Sequence, residues 1–184
     1  MKFFKKGKMN KISEFKIKNG IVLTIALAVA SMEGMIAVQI QYLYAYPSAY
    51  IASLFLGALP IITEGNEVLI PMSNQFINVT SKCSAFGFAC LLSAILVINV
   101  MKLVPKSKIL IGCILALPLA YLITIVANGS RIICAYYFHI VGRLILPLNF
   151  QSALHQGVGI AIFLSTLIVV TLIFERINYR GQKI

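Results

Sequence analysis

Three side chains in this 184-residue chain have the types and settings for acyl transfer: Cys83, Arg131 and His155. Each stands beside the end of a long apolar run. Cys83 follows Lys82 where one run begins, Arg131 follows Asn128-Gly129 where the next closes, and His155 precedes the last. A cysteine reacts as its thiolate, so its free pKa of about 8.5 has to fall. The first turn of a helix favours an anion through its unsatisfied N–H groups and partial positive charge. Cys83 is expected there, with Lys82 beside it and Ser81 or Ser84 as the cap. Apolar burial opposes the thiolate, so a base or cation nearby is required. His155 is expected about three residues into a helix capped by Ser152. The positive helix end would keep its ring neutral and able to accept a proton. Arg131, just past a helix stopped by Asn128-Gly129, would offer its planar fork of donors to a carbonyl or oxyanion. Nucleophile, base and oxyanion clamp are the components of acyl transfer through a thioester.

Each residue also has a plainer reading. A cysteine is a common small buried residue, an arginine at a span's end can bind lipid phosphate, and a histidine near a helix start can be a satisfied interface group. The spacing must therefore be judged with the elements that carry it.

The chain is 60% hydrophobic and only 11% charged, with a mean hydropathy of +0.93. Soluble domains run near half apolar and a quarter charged. The expectation is a single membrane domain over 1–184, an all-α polytopic bundle. Its spans are expected at 20–42, 84–101, 109–127 and 157–174, each near the length that crosses a bilayer. Residues 1–18 hold seven lysines against Glu14 and read as a basic cytoplasmic tail on the lipid surface. The apolar run behind this tail is too long for a signal peptide and reads as a retained anchor. Residues 47–82 are expected as an outer interfacial helix and a small extracytoplasmic cap. Pro47 would open that helix and Pro60 stop it. Val68, Ile70, Phe76, Ile77 and Val79 suggest short extended pieces around Pro71. Tyr42, Tyr44, Tyr46 and Tyr50 suit the membrane–water interface.

Charge sets the orientation. With four spans and the tail inside, the inner face holds thirteen basic residues and the outer face three: Lys82, Arg131 and Arg143. The positive-inside rule favours that arrangement, with both termini cytoplasmic. Cys83, Arg131 and His155 then all fall at the extracytoplasmic face of the cell membrane.

Other polar groups carry lesser expectations. Glu33 lies in the first span and is read as a structural partner of Arg131 or an orienter of His155. His139, eight residues after Arg131, reads as an interfacial residue. Cys90 and Cys113 read as packing, and Cys134 as a weaker rival nucleophile. No H-E-x-x-H, phosphate loop or His/Cys cluster appears, so no metal or cofactor is expected. The expected partners are membrane lipids and not nucleic acid.

In several stretches the sequence resembles the exosortase/archaeosortase family of membrane cysteine transpeptidases, over about Ala49 to Phe174. Leu56-Gly57, Gly65-Asn66 and Leu69-Ile70-Pro71 are similar to the stretch before the family's nucleophile. Cys83-Ser84-Ala85 is similar to its Cys-Ser-Gly motif, with alanine replacing the glycine. Asn128-Gly129-Ser130-Arg131-Ile132 resembles its arginine motif, and His155 with Gly157 its histidine motif. Two departures stand beside Ala85: no acid shortly precedes the cysteine, and only one span precedes the cap. The resemblance implies Cys83 as nucleophile, Arg131 as substrate or oxyanion stabiliser and His155 as acid–base. It implies cleavage of C-terminal sorting signals on secreted proteins and transfer to a cell-surface acceptor. Such substrates end in a motif, a hydrophobic helix and basic residues. The competing expectation is a non-catalytic small membrane protein, a transporter subunit or assembly factor, with a structural Arg/His/Glu network.

Overall fold

The computed structural model describes residues 3–32, 35, 37–62, 68–72, 75–79, 85–145 and 147–181. It is mostly helical, with five helices and a small sheet. In chain order these are α1 (Phe3–Ser31), α2 (Ala37–Leu56), β1 (Ile61–Ile62), β2 (Val68–Met72), β3 (Gln75–Val79), α3 (Phe86–Leu103), α4 (Ile109–Ile145) and α5 (Leu148–Gly181). A single 3-10 turn at Lys106–Lys108 joins α3 to α4. Three helices are long and apolar enough to cross a membrane, over Phe86–Leu103, Ile109–Gly142 and Ala153–Tyr179. The apolar part of α1, Ile17–Ser31, is shorter.

The run expected as one span over 20–42 is divided, because α1 ends at Ser31 and α2 begins at Ala37. The sequence between them contains Glu33-Gly34, and glycine is a poor helix former.

Pro47, expected to open a helix, lies inside α2. A proline supplies no N–H, so the carbonyl four residues earlier loses its intrahelical donor. That carbonyl belongs to Leu43, and the Tyr121 hydroxyl of α4 donates to it at 2.7 Å. Neighbouring helices commonly satisfy backbone groups freed in this way in membrane proteins. The Tyr44 ring then meets Tyr121 and Phe86 edge-on, at 5.3 and 5.8 Å.

The strands form an antiparallel sheet in the order β1-β2-β3. Pro71 pairs with Phe76 on β3, while β1 reaches only Val68 and Leu69. At Pro71 the second edge of β2 is therefore open, where a proline breaks no ladder bond. Val68 and Ile70 point to one face by the two-residue period. They bury with Val79, with Ala45, Ala49 and Ala52 of α2, and with Ile132 of α4. A second buried cluster joins Ala85, Phe88, Leu92 and Leu96 at the α3 end to Ala116, Ala120 and Ala127 of α4 and Val170 of α5.

Asn128-Gly129 does not stop a helix: α4 runs through it to Ile145. The glycine serves packing instead. A Cβ on Gly129 would lie 3.0 Å from Ile51 Cγ2 and 3.2 Å from the Ser48 carbonyl oxygen. Small residues at such contacts let two backbones approach, and Asn128 beside it is fully buried. Likewise α5 starts at Leu148 rather than behind Ser152. His155 thus sits two turns inside, beyond the first turn where the helix dipole acts.

Candidate functional site

α4 and α5 form a helical hairpin, α4 ending at Ile145 and α5 starting at Leu148. On α4, Arg131, Ala135 and His139 are spaced by four and share a face; on α5, Val158 and Gly159 follow His155 by three and four residues and share its face. The two faces meet. An added Cβ on Gly159 would fall 2.7 Å from Arg131 Nε. Ala135, Phe138, His139, Leu154, His155 and Val158 line one small cavity of ≈ 20 Å³, room for about one water. Gly159 follows His155 by one turn, about 6 Å along the axis. The hairpin therefore brings Arg131 and His155 to one seam. It also brings both histidines of the chain to one cavity, although His139 was expected only at the interface.

The Arg131 side chain is half-buried. Its guanidinium carbon lies 5.5 Å from the centre of the Phe163 ring, within cation–π range. Phe163 in turn stacks on Phe88, with centroids 4.3 Å apart and planes 12° from parallel. Phe88 belongs to the first turn of α3. The ring pair thus joins the start of α3 to Arg131. Arg131 Nε is buried and has no hydrogen-bond partner among the described residues, and the Phe163 ring and the Gly159 backbone lie against the side chain.

Cys83 lies outside the described residues, as do Lys82, Ser81, Ser84 and Glu33. The residues flanking that stretch are described. Val79 is buried in the cluster that contains Ile132, and Ala85 in the cluster that contains Ala127 and Phe88. Both α4 residues lie within about one turn of Arg131. The N-cap of α3 is Ala85, not a serine, and it makes no side-chain cap bond. In sequence, Cys83 precedes this cap by two residues rather than occupying the first turn.

Ala85 has φ 60° and ψ 21°, a left-handed conformation that no other non-glycine residue adopts among the described residues. For an L-residue this costs roughly 1–2 kcal/mol, and glycine is the usual solution. The position that departs from Cys-Ser-Gly is therefore one whose backbone favours glycine.

Cys90, Cys113 and Cys134 are half-buried and form no disulfide among the described residues. Among the described residues, no three His, Cys, Asp or Glu side chains gather as a metal site would require. Two members of the seam, Gly159 and Phe163, were not singled out from the sequence, and His139 was read only as an interfacial residue. The available signal was their spacing, since His155, Gly159 and Phe163 recur every four residues, as do Arg131, Ala135 and His139. No protein-family model, curated protein or solved structure matches this chain.

Proposed function

We propose that this chain is a membrane-embedded cysteine peptidase and transpeptidase of the exosortase/archaeosortase kind. It cleaves C-terminal sorting signals of secreted proteins and passes the acyl group to a cell-surface acceptor. One observation carries this reading: the residues on either side of the Cys83 stretch are buried in clusters that reach α4 near Arg131, Val79 in the one that holds Ile132 and Ala85 in the one that holds Ala127. Two Cα–Cα steps keep Cys83 within about 7.6 Å of Ala85. Ala85 shares its cluster with Phe88, which stacks on the ring beneath Arg131.

In the proposed reaction His155 takes the proton of the Cys83 thiol, and the thiolate attacks the carbonyl carbon of the scissile amide. The carbonyl electron pair moves to oxygen, where the Arg131 guanidinium stabilises it. As the C=O re-forms, the C–N bond breaks and His155 gives the leaving amine its proton. The acyl group is now a thioester on Cys83. His155 then takes a proton from the acceptor, which attacks the thioester and releases the thiolate.

In the same reading four segments cross the cytoplasmic membrane: the apolar part of α1, then α3, α4 and α5. The sheet and the cysteine lie at the outer face and both termini are cytoplasmic. Thirteen basic residues inside against three outside support this orientation.

The test is a reporter with a sorting tail, expressed with the wild-type chain or its Cys83→Ala variant. Wild type should shorten the reporter and carry a hydroxylamine-sensitive acyl adduct on Cys83, and the variant should do neither. Undiminished processing in Cys83→Ala would falsify the enzyme reading. A membrane-impermeant thiol reagent should label Cys83 in intact cells, and labelling only after lysis would reverse the orientation.

A further inference from the structure

We infer that Gly159 is a positioning residue, a notch in α5 that seats the Arg131 guanidinium over Phe163. The inference deepens the enzyme reading and rests on it for its catalytic consequence. Gly159 is buried, and a Cβ there would lie 2.7 Å from Arg131 Nε, 3.2 Å from Cζ and 3.3 Å from Cδ. The first distance is closer than real Cβ contacts come, so the guanidinium must move if Gly159 gains a methyl group. On the other side the Phe163 ring holds it at 5.5 Å. Phe163 is itself fixed by its stack with Phe88. Among the described residues, no hydrogen bond to Nε competes with this steric seat. A glycine notch and a ring one turn further along α5 therefore define where the fork of donors sits.

The same helix supplies its own control. Gly157 is exposed, and a Cβ there would meet nothing within 4 Å. Gly157→Ala and Gly159→Ala make the same chemical change two residues apart, and both replace glycine by a better helix former. A general effect on α5 would appear in both, whereas an effect through Arg131 appears only at 159.

The experiment uses the full chain in detergent micelles, labelled with 15N-arginine. In Gly159→Ala the Nε–Hε resonance of Arg131, assigned by its loss in Arg131→Lys, should move away from its ring-shifted position. In Gly157→Ala it should stay. Reporter cleavage should fall about 100-fold in Gly159→Ala, the scale expected for a misplacement near 1 Å. It should hold in Gly157→Ala, and Gly159→Ala should add no loss to Arg131→Lys. An unmoved resonance in Gly159→Ala overturns the seat. A moved resonance with full cleavage overturns the positioning role. If Cys83→Ala processes the reporter as well as wild type, the enzyme reading falls, yet the resonance still decides the seat.

Discussion

The Tyr121 hydroxyl donates to the Leu43 carbonyl oxygen across 2.7 Å, at the carbonyl that Pro47 leaves without a helical donor. A side chain of α4 thus completes the backbone of α2, locking together the helices that hold the sheet and Arg131. Tyr121→Phe should destabilise by about 0.5–1.5 kcal/mol, the net worth of one hydrogen bond. For a chain of this size the melting point in detergent should drop by several degrees. Pro47→Ala in the same background restores an N–H to the turn and should recover much of that loss. No recovery would mean that the hydroxyl does not stand in for the proline's missing donor.

At the start of α3, Ala85 holds a backbone suited to glycine. Ala85→Gly trades roughly 1–2 kcal/mol of strain for about 0.5–1 kcal/mol of extra chain entropy. Thermal unfolding should reveal a small net gain. Ala85→Val should be clearly destabilised, because a branched residue is rarely found at positive φ. Equal melting points for the two variants would contradict the conformation described.

The α2–α4 contact predicts a reversal of sign at Gly129. In an isolated helix, Gly→Ala stabilises by about 1 kcal/mol. Here the new Cβ would press on Ile51 and on the Ser48 carbonyl oxygen, which belongs to the backbone and cannot swing aside. Gly129→Ala should therefore destabilise by about 1–3 kcal/mol, read as a lower melting temperature.

Phe163 supports Arg131 from below, so Phe163→Leu keeps apolar volume but removes the ring. The loss should be about 0.5–1.5 kcal/mol for the stack with Phe88, plus up to about 1 kcal/mol for the cation–π contact. Reporter cleavage should fall with it. Restoring a ring with Phe163→Tyr should return most of the stability, which a merely bulky requirement would not explain.

The two histidines should separate by role. If His155 transfers the proton, His155→Ala should slow cleavage by about 10²–10⁴-fold. His139, which lines the same cavity, should matter less, and His139→Ala should leave a measurable rate. The reverse ranking, measured by reporter turnover, would reassign the acid–base.

Much of the helix layout was legible from hydropathy. The helix expected over 84–101 appears at Phe86–Leu103, and the 157–174 stretch falls within α5. The extended pieces around Pro71 are β2 and β3. Local stop signals were less reliable because tertiary contacts gave them other uses. Gly129 looked like a helix end, yet it makes room for α2. Pro47 looked like a helix start, yet Tyr121 makes it tolerable inside one. At the site, the sequence offered Arg131 and His155 individually. Their shared seam depends on the register of α4 against α5, which no single-helix pattern encodes. The place of His139 beside His155, and the role of Gly159, became visible only with that register.

The length of the α4–α5 hairpin has a chemical consequence. α4 has 37 residues, about 55 Å at 1.5 Å each, against a hydrocarbon core of about 30 Å. Arg131 lies some 33 Å from the Ile109 end, near the upper rim of any bilayer that begins there. In the proposed reaction, an acyl group held at that height would meet water as readily as an amine or hydroxyl from a surface polymer. Whether the product is a severed tail or a newly anchored protein would then be a contest of arrival, decided by what crowds the rim.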